Sequence, residues 1–153
     1  MLIITDLREA PEHLAKLAEW HHAQWSHLYP GQTLAERTKT MQSHLSDPLI
    51  PGTYIAIDRD LLGSASIIEN DMETRPELTP WLASVYVDKP YRKQGIGRAL
   101  VKHVIDVAAN NGIKRLYLFT PDEESFYQRI GWQYYDSENY HGEDVTIMYH
   151  DTH

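Results

Sequence analysis

The chain has 153 residues, of which 14 are lysine or arginine and 22 are aspartate or glutamate, so its formal net charge at pH 7 is −8. This acidic balance argues against a protein that tracks nucleic acid, because such affinity comes largely from clustered cations that displace counterions. The absence of cysteine excludes disulfides, thiolate metal sites and a cysteine nucleophile. Length and a hydrophobic content of 42% predict a single domain over residues 1–153.

Neither a targeting segment nor a membrane span is expected. The N-terminal apolar run is too short for a signal peptide, and no stretch reaches the ~20 apolar residues of a bilayer span. We therefore expect a cytoplasmic protein that binds no membrane. Nine histidines occur, but none belongs to HExxH or another recognisable ligand pair, so no metal is expected.

The first third of the chain shows one strand pattern and two helical patterns. An edge strand is predicted at residues 2–4, and apolar residues at helical spacing predict a helix over about 11–30. Thr33 and Glu36 form a capping-box signature, in which hydroxyl and carboxylate satisfy reciprocal backbone N–H groups. A second helix is therefore predicted over about 34–46, with an apolar stripe formed by Leu34, Met41 and Leu45.

The middle of the chain predicts a hairpin, a loop and a third strand. Apolar runs at residues 54–57 and 61–68 flank turn residues and predict an antiparallel hairpin. Residues 69–80 are acidic and proline-interrupted, which predicts an exposed loop. A strand is predicted at 81–87, and a core-facing helix follows from Ile96 to the end signal Asn111-Gly112.

The remaining elements complete an α/β (α+β) fold. A strand is predicted at residues 114–119, and Thr120 followed by Pro121 predicts a short helix that runs through Arg129. Two last strands are predicted at 132–135 and 145–149. The order gives a mixed, mostly antiparallel twisted sheet with a central β-α-β crossover and helices on both faces.

The most informative segment is a basic turn between the strand at 81–87 and the following helix. Gly95 and Gly97 allow a ligand to approach the backbone closely, and the amides and dipole at a helix start favour an anion. Three cations add to this field: Arg92, Lys93 and Arg98. The turn therefore predicts an anion-binding site.

Three other interpretations of this turn are open to comparison. In the simplest, the two glycines only shape a tight entry into the helix. A Rossmann dinucleotide site fits poorly, because residues 88–94 separate the strand from the first glycine and Leu100 stands at the third position. A P-loop fails because no GK[ST] ending follows Gly95.

Two motifs resemble those of the GCN5-related N-acetyltransferases (GNAT). The first is Arg92-Lys93-Gln94-Gly95-Ile96-Gly97, which matches the family signature Arg/Gln-x-x-Gly-x-Gly/Ala. The second is Phe126-Tyr127 followed by Gly131-Trp132. The resemblance covers about residues 81–132 and implies transfer of an acetyl group from acetyl-coenzyme A to a primary amine, by direct attack in a ternary complex.

The resemblance also implies which residues contact the cosubstrate. Backbone amides from about Lys93 to Arg98 would hold the coenzyme A pyrophosphate, and the backbone of Val85 and Val87 would pair with the pantetheine arm. The cofactor-binding residues implied in this way are Val85, Tyr86, Val87, Arg92, Lys93, Gln94, Gly95, Ile96, Gly97 and Arg98.

Tyr127 is the candidate general acid, since its matched position would place the hydroxyl near the coenzyme sulfur, where it can protonate the leaving thiolate. The alternative is a packing tyrosine. Phe126 and Ile130 lie four residues apart and are expected to face the core, which would leave Tyr127 free to point elsewhere.

The general base is not assigned by the resemblance, because the strand position where many relatives carry glutamate falls at about Ala83. Glu69 is ranked first as base or water-positioning group, and an ordinary acidic turn is its alternative. Asp71, His21, His22 and a water are the other candidates. His21 lies on an apolar helical stripe, which favours a core histidine with satisfied ring nitrogens.

Two features address the acceptor. Four aromatic residues could form a wall for an amine or fill the core: Trp20, Trp25, Tyr29 and Trp81. An acidic run would favour a cationic small-molecule or peptide amine, such as a polyamine, an aminoglycoside or a lysine-bearing peptide; it comprises Glu69, Asp71, Glu73 and Glu77. Terminal strands would offer a homodimer interface.

Two rivals compete with the enzyme prediction. A non-catalytic acyl-coenzyme A binding or sensing module would explain the missing strand carboxylate. A nicotinamide-dependent enzyme would be stabilised by NAD(H) rather than by coenzyme A.

Overall fold

The computed structural model describes residues 1–152, within which seven strands and four α-helices follow one another. The strands are β1 (Ile3–Asp6), β2 (Gly52–Asp58), β3 (Asp60–Ile68), β4 (Trp81–Val87), β5 (Arg115–Thr120), β6 (Gln133–Tyr140) and β7 (Glu143–Asp151). The helices are α1 (Leu14–Trp25), α2 (Leu34–Gln42), α3 (Ile96–Asn110) and α4 (Glu124–Arg129).

All seven strands belong to one sheet in the order β1-β2-β3-β4-β5-β7-β6. Every neighbouring pair is antiparallel except β4 and β5, which α3 connects as a β-α-β crossover. The predicted mixed, mostly antiparallel sheet with a central crossover is therefore confirmed. The first strand lies at one edge of the sheet, as predicted.

Alternating side chains of β2 connect the sheet to helices on both faces. Tyr54 and Ala56 belong to the core cluster that contains the buried face of α3. Ile55 points the other way and packs in a cluster with α1 and α2, as the two-residue period of a strand requires. The longest helix, α3, has 15 residues, and no helix of the described residues is long and apolar enough to cross a membrane.

Several element ends differ from the sequence predictions. The first helix ends at Trp25 rather than near residue 30, and a 3₁₀ turn, Ser26–Leu28, follows it. The Thr120 hydroxyl accepts a hydrogen bond from the Glu123 N–H at 3.0 Å, yet α4 begins only at Glu124. The last two strands are both longer than predicted. For β6 the reason is that most of its side chains are exposed and lack apolar alternation.

The loop at residues 69–80 contains no helix or strand, but the prediction that it is exposed is wrong in part. Met72 and Leu78 are buried and pack against Trp81. Arg75 forms ion pairs of 2.6 and 2.8 Å with two carboxylates of β6. Apolar burial and these pairs together hold the loop against the sheet.

Candidate active site

The sheet opens between β4 and β5. The third and fourth strands pair over most of their length, whereas only Trp81 of β4 pairs with Tyr117 of β5. Beyond Trp81, backbone groups on this side of β4 therefore have no strand partner. A β-bulge places Ser84 at a φ of 52° at this point, where the register between β3 and β4 shifts.

A cavity of about 1220 Å³ lies at this opening and has two differently built sides. The strand side is formed by β4, the turn at residues 91–98 and α4. The helix side is formed by residues 24–29, by α2 and by residues 68–71. One continuous space thus joins the glycine-containing turn to the acidic end of β3.

The turn before α3 has the backbone geometry of an anion site. Lys93 and Gly95 have φ values of 65° and 82°, in the left-handed region. Gly95 is the N-cap of α3 and supplies no side-chain cap, so the first amides of this helix have no side-chain partner. Arg92 donates from Nε to the Val87 carbonyl at 2.7 Å and ties the turn to β4.

Most of the residues predicted to bind the cosubstrate line the cavity. Those on its wall are Val85, Tyr86, Val87, Arg92, Lys93, Gly95, Ile96, Gly97 and Arg98. Gln94 is the exception, because its side chain is exposed and its amide lies 3.5 Å from the Pro90 carbonyl. Folding of this segment thus places most residues of the motif on one wall of the cavity. Their contacts with the cosubstrate stay predictions.

Tyr127 lines the strand side of the cavity, but its packing differs from the prediction. Phe126 and Ile130 pack against the core as expected, but the expectation that this leaves Tyr127 free is wrong, because Tyr127 is the buried residue of α4, at 8% exposure. The Trp132 N–H returns to the Tyr127 carbonyl at 2.9 Å, and the Tyr127 ring meets the Trp132 ring edge-on. Burial raises the pKa of the Tyr127 hydroxyl, which keeps it protonated.

Two carboxylates of the predicted set reach the helix side. Glu69 is exposed, whereas Asp71 is partly buried, and both line the cavity. Burial raises the pKa of Asp71 to about 7, and the nearby charge of Arg37 opposes this only partly. A carboxylate with a pKa near neutrality can exchange a proton at physiological pH.

The two histidine candidates have other partners. His21 is 1% exposed, its Nδ1 accepts from Arg37 at 3.0 Å, and its Nε2 therefore donates to the Ser64 hydroxyl at 2.8 Å. Burial and the Arg37 charge hold the pKa of His21 well below its usual value. Nε2 of His22 lies 3.1 Å from the Gln32 carbonyl. His21 is thus a neutral core histidine.

Arg37 is a cavity residue that the motif-based reasoning missed. It lies on α2 and donates from Nη2 to the Ser84 hydroxyl at 3.2 Å. A clue was available in the sequence: Arg37 lies three residues after Leu34 and four before Met41, on the stripe predicted to be apolar. Met41 is buried but Leu34 is 40% exposed, so this helix face is partly polar.

The predicted aromatic group divides between the cavity and the core. Trp25 and Tyr29 line the helix side. Trp20 packs on Tyr86, with ring centroids 5.3 Å apart. Trp81 follows the other alternative and fills the core, because its ring is fully buried and its Nε1 donates to the Leu78 carbonyl.

The acidic run also divides. Glu69 and Asp71 line the cavity, whereas Glu73 lies outside it, with its carboxylate 3.2 Å from the His141 ring. A further contact at the cavity wall joins the turn after α1 to β7, since the His27 ring lies 2.8 Å from the Glu143 carboxylate. Among residues 1–152, no group of three or more histidine or carboxylate side chains is placed to hold a metal ion.

Comparison with known proteins agrees with this arrangement of sheet and turn. Residues 14–132 match the family model described as the acetyltransferase (GNAT) family. Because this match covers most of the chain, the protein belongs to the GNAT family of acetyltransferases. The predicted family and fold class are thereby confirmed.

Individual relatives include one curated protein and many solved structures. N-alpha-acetyltransferase 30 of Schizosaccharomyces pombe is 30% identical over 120 residues, which is 68% of this chain and 80% of that protein. Aminoglycoside 6'-acetyltransferase type Ii is 20% identical, with a TM-score of 0.77 over 99% of this chain and 97% of that one. An aminoglycoside 6'-N-acetyltransferase complexed with coenzyme A has a TM-score of 0.76 at 20% identity over the same shares.

Proposed function

We propose that the protein is an N-acetyltransferase that transfers the acetyl group of acetyl-coenzyme A to a primary amine, by direct attack in a ternary complex. The observation that carries this proposal is the continuous cavity, which joins the anion-binding turn to the carboxylates at the end of β3 through the opening beside β4. Acetyl-coenzyme A supplies the activated thioester. Absence of cysteine from the chain supports direct attack, since no thiol can carry the acetyl group.

The strand side fits the cosubstrate. The uncapped amides at the start of α3 and the cations of the turn suit a pyrophosphate. The backbone of Val85 and Val87 has no partner on β5 and suits an amide-bearing arm that adds as an extra strand. A methyl group at Gly97 would make only ordinary contacts, the nearest at 3.6 Å, which agrees with the alanine that the family signature allows there.

Proton transfers are assigned to Tyr127 and a carboxylate. Asp71 takes the proton that the amine loses as the new N–C bond forms, and Tyr127 gives a proton to the sulfur as the C–S bond breaks. We prefer Asp71 to Glu69 as the base, because a pKa of about 7 lets Asp71 accept a proton near neutral pH and hold it in the buried site. Glu69 remains the second candidate.

The acceptor is an amine, which the names of the relatives support. An N-alpha-acetyltransferase and an aminoglycoside N-acetyltransferase both modify nitrogen. The alternative, a non-catalytic acyl-coenzyme A module, is favoured by one observation: no residue of β4 carries a carboxylate.

A two-stage experiment tests the proposed function. Thermal shift with coenzyme A, and with NAD(H) as control, measures binding; thiol release from acetyl-coenzyme A over a broad panel of amines measures transfer. We expect stabilisation by coenzyme A alone and amine-dependent thiol release. Stabilisation without release on any amine would instead support the binding module, and stabilisation by NAD(H) would contradict both.

A further inference from the structure

The helix side of the cavity contains a cation without a close carboxylate partner. Among residues 1–152, the ion pairs within 4.0 Å use other cations. Arg37 donates only to neutral groups, the ring of His21 and the hydroxyl of Ser84. Its Nε is buried and has no hydrogen-bond partner. A partly buried guanidinium of this kind is unfavourable unless an anion joins it.

Asp71 does not fill this role. The two charges influence each other, but the ion pairs within 4.0 Å among the described residues do not include Arg37 with Asp71. Burial also favours the protonated form of Asp71. Arg37 therefore faces the cavity without a close anion, beside a carboxylate that is available to an amine.

The position of Arg37 limits the size of its ligand. Its Nη2 donates a hydrogen bond to the hydroxyl of Ser84, the bulge residue at the opening between β4 and β5. In the proposed function, acetyl transfer occurs at this opening, so an anion on Arg37 lies only a few bonds from the reacting nitrogen. His21 and Ser84 use Nη2, and Nε is buried, so Nη1 is the group of Arg37 that can donate a charge-assisted hydrogen bond to a carboxylate.

We propose that the acceptor is a free α-amino acid, whose carboxylate binds Arg37 while its amine faces Asp71 and Glu69. This inference rests on the proposed function. It replaces the sequence-based expectation of a cationic acceptor, because a polyamine or aminoglycoside would bring further positive charge to Arg37. An α-amino acid carries both charges that the helix side complements.

The first test uses the unaltered protein. Thiol release is measured with the twenty L-amino acids, with the carboxamide of each, and with spermidine and kanamycin as cationic controls. We expect kcat/KM for the best amino acid to exceed that of its carboxamide by about 10-fold or more, as loss of one charge-assisted contact predicts. An equal or better rate with the carboxamide, spermidine or kanamycin would overturn the inference.

The second test compares Arg37→Met and Arg37→Lys with Lys39→Met, which removes an exposed cation from the same helix. We expect Arg37→Met to raise KM for the amino acid by roughly 10–100-fold and to abolish the preference over the carboxamide. Arg37→Lys should restore part of this preference, and Lys39→Met should change nothing. An equal fall in kcat on both substrates would instead give Arg37 a role toward the thioester or in holding Ser84.

Controls separate misfolding and failure of the underlying function. Each variant must keep its thermal stabilisation by coenzyme A. If Arg37→Met loses this stabilisation, the inference is tested instead by the wild-type preference for the amino acid over its carboxamide and by the Arg37→Lys variant. Absence of thiol release with every amine would overturn the proposed function itself. Release with amines that lack a carboxylate, but not with amino acids, would overturn only the inference about the acceptor.

Discussion

At the scale of single residues, Tyr127 combines a packing role with a proposed chemical one. Its ring packs against Phe126 and Trp132 while its edge lines the cavity. We predict that Tyr127→Phe lowers kcat by roughly 10²–10³-fold, because a general acid is lost. The melting temperature should change little, since the ring and its contacts remain.

Tyr29→Phe is the matched control for Tyr127→Phe. Tyr29 lines the opposite, helix side of the same cavity, and burial raises its pKa as well. Thiol release and thermal melting are measured on both variants. A comparable loss of kcat in the two would show that removal of any buried hydroxyl disturbs the site, and Tyr127 would lose its assignment as the acid.

Asp71 gives a prediction about pH and activity. If Asp71 is the base, kcat/KM rises with pH up to its pKa of about 7 and is level above it, until another group titrates. Asp71→Asn should lower kcat/KM by roughly 10²-fold and remove this rise. Glu69→Gln should keep the wild-type profile; loss of the rise in Glu69→Gln alone would assign the base to Glu69.

The same carboxylate gives a prediction about pH and stability. Burial raises the pKa of Asp71 from its ordinary 3.8 to about 7 in the folded protein. Between these values the folded state holds a proton that the unfolded state has lost, so Asp71 destabilises the fold increasingly as pH rises and fully above about pH 7. The effect is on the order of 4 kcal/mol.

Comparison of melting temperatures isolates this contribution. Asp71→Asn should melt above the wild type at pH 8, and the difference should shrink as the pH falls toward 4. Histidines with lowered pKa values, such as His21 and His44, also make stability depend on pH. Their contribution is the same in the wild type and in Asp71→Asn, so it cancels in the comparison. A difference that does not depend on pH would mean that Asp71 titrates normally.

At the scale of elements, the fourth strand determines where the site forms. One side of β4 is fixed to β3, where a methyl group at Gly63 would clash with the Tyr86 carbonyl, so only glycine allows this close approach. Its other side is released from β5 beyond Trp81. Asymmetric pairing thus produces the opening, and the bulge at Ser84 turns the strand at the point where Arg37 binds it.

The two glycines of the turn should behave differently. Gly95 has a φ of 82°, which strains any residue with a Cβ, whereas the helical Gly97 has room for a methyl group. We predict that Gly95→Ala lowers the unfolding free energy by about 1 kcal/mol and weakens coenzyme A binding by several-fold. Gly97→Ala should keep both near wild type. Thermal melting and coenzyme A titration measure the pair; equal affinity losses would contradict this distinction.

At the scale of the whole molecule, the spacing of apolar residues predicted which helices and strands form, whereas local contacts determine where each of them ends. The apolar stripe of α3 and the hairpin of β2 and β3 follow from the periods of the two structures. The glycine turn was identified because its residues are contiguous. By contrast, Arg37 and Asp71 are far apart in sequence and come to line one cavity only through packing, so no local spacing could predict that they share a site.

Charge is also distributed unevenly over the whole molecule. A net charge of −8 coexists with a turn that presents three cations to the cavity, Arg92, Lys93 and Arg98. None of these three takes part in an ion pair within 4.0 Å among the described residues. Attraction of a polyanionic cosubstrate to the strand side of the cavity therefore depends mainly on this turn, against the repulsion of the acidic parts of the protein.

Such attraction should depend on salt. We predict that the Kd for coenzyme A rises several-fold between about 50 and 500 mM NaCl, as the Debye length falls from roughly 14 to 4 Å. Lys93→Gln should raise Kd at low salt and lessen this dependence, since one of the attracting charges is gone. Lys102→Gln is the control, because Lys102 lies on α3 but is exposed and paired with Asp106. Salt dependence that is the same in all three proteins would show that the turn does not supply the attraction, and the anion site would then rest on its backbone amides alone.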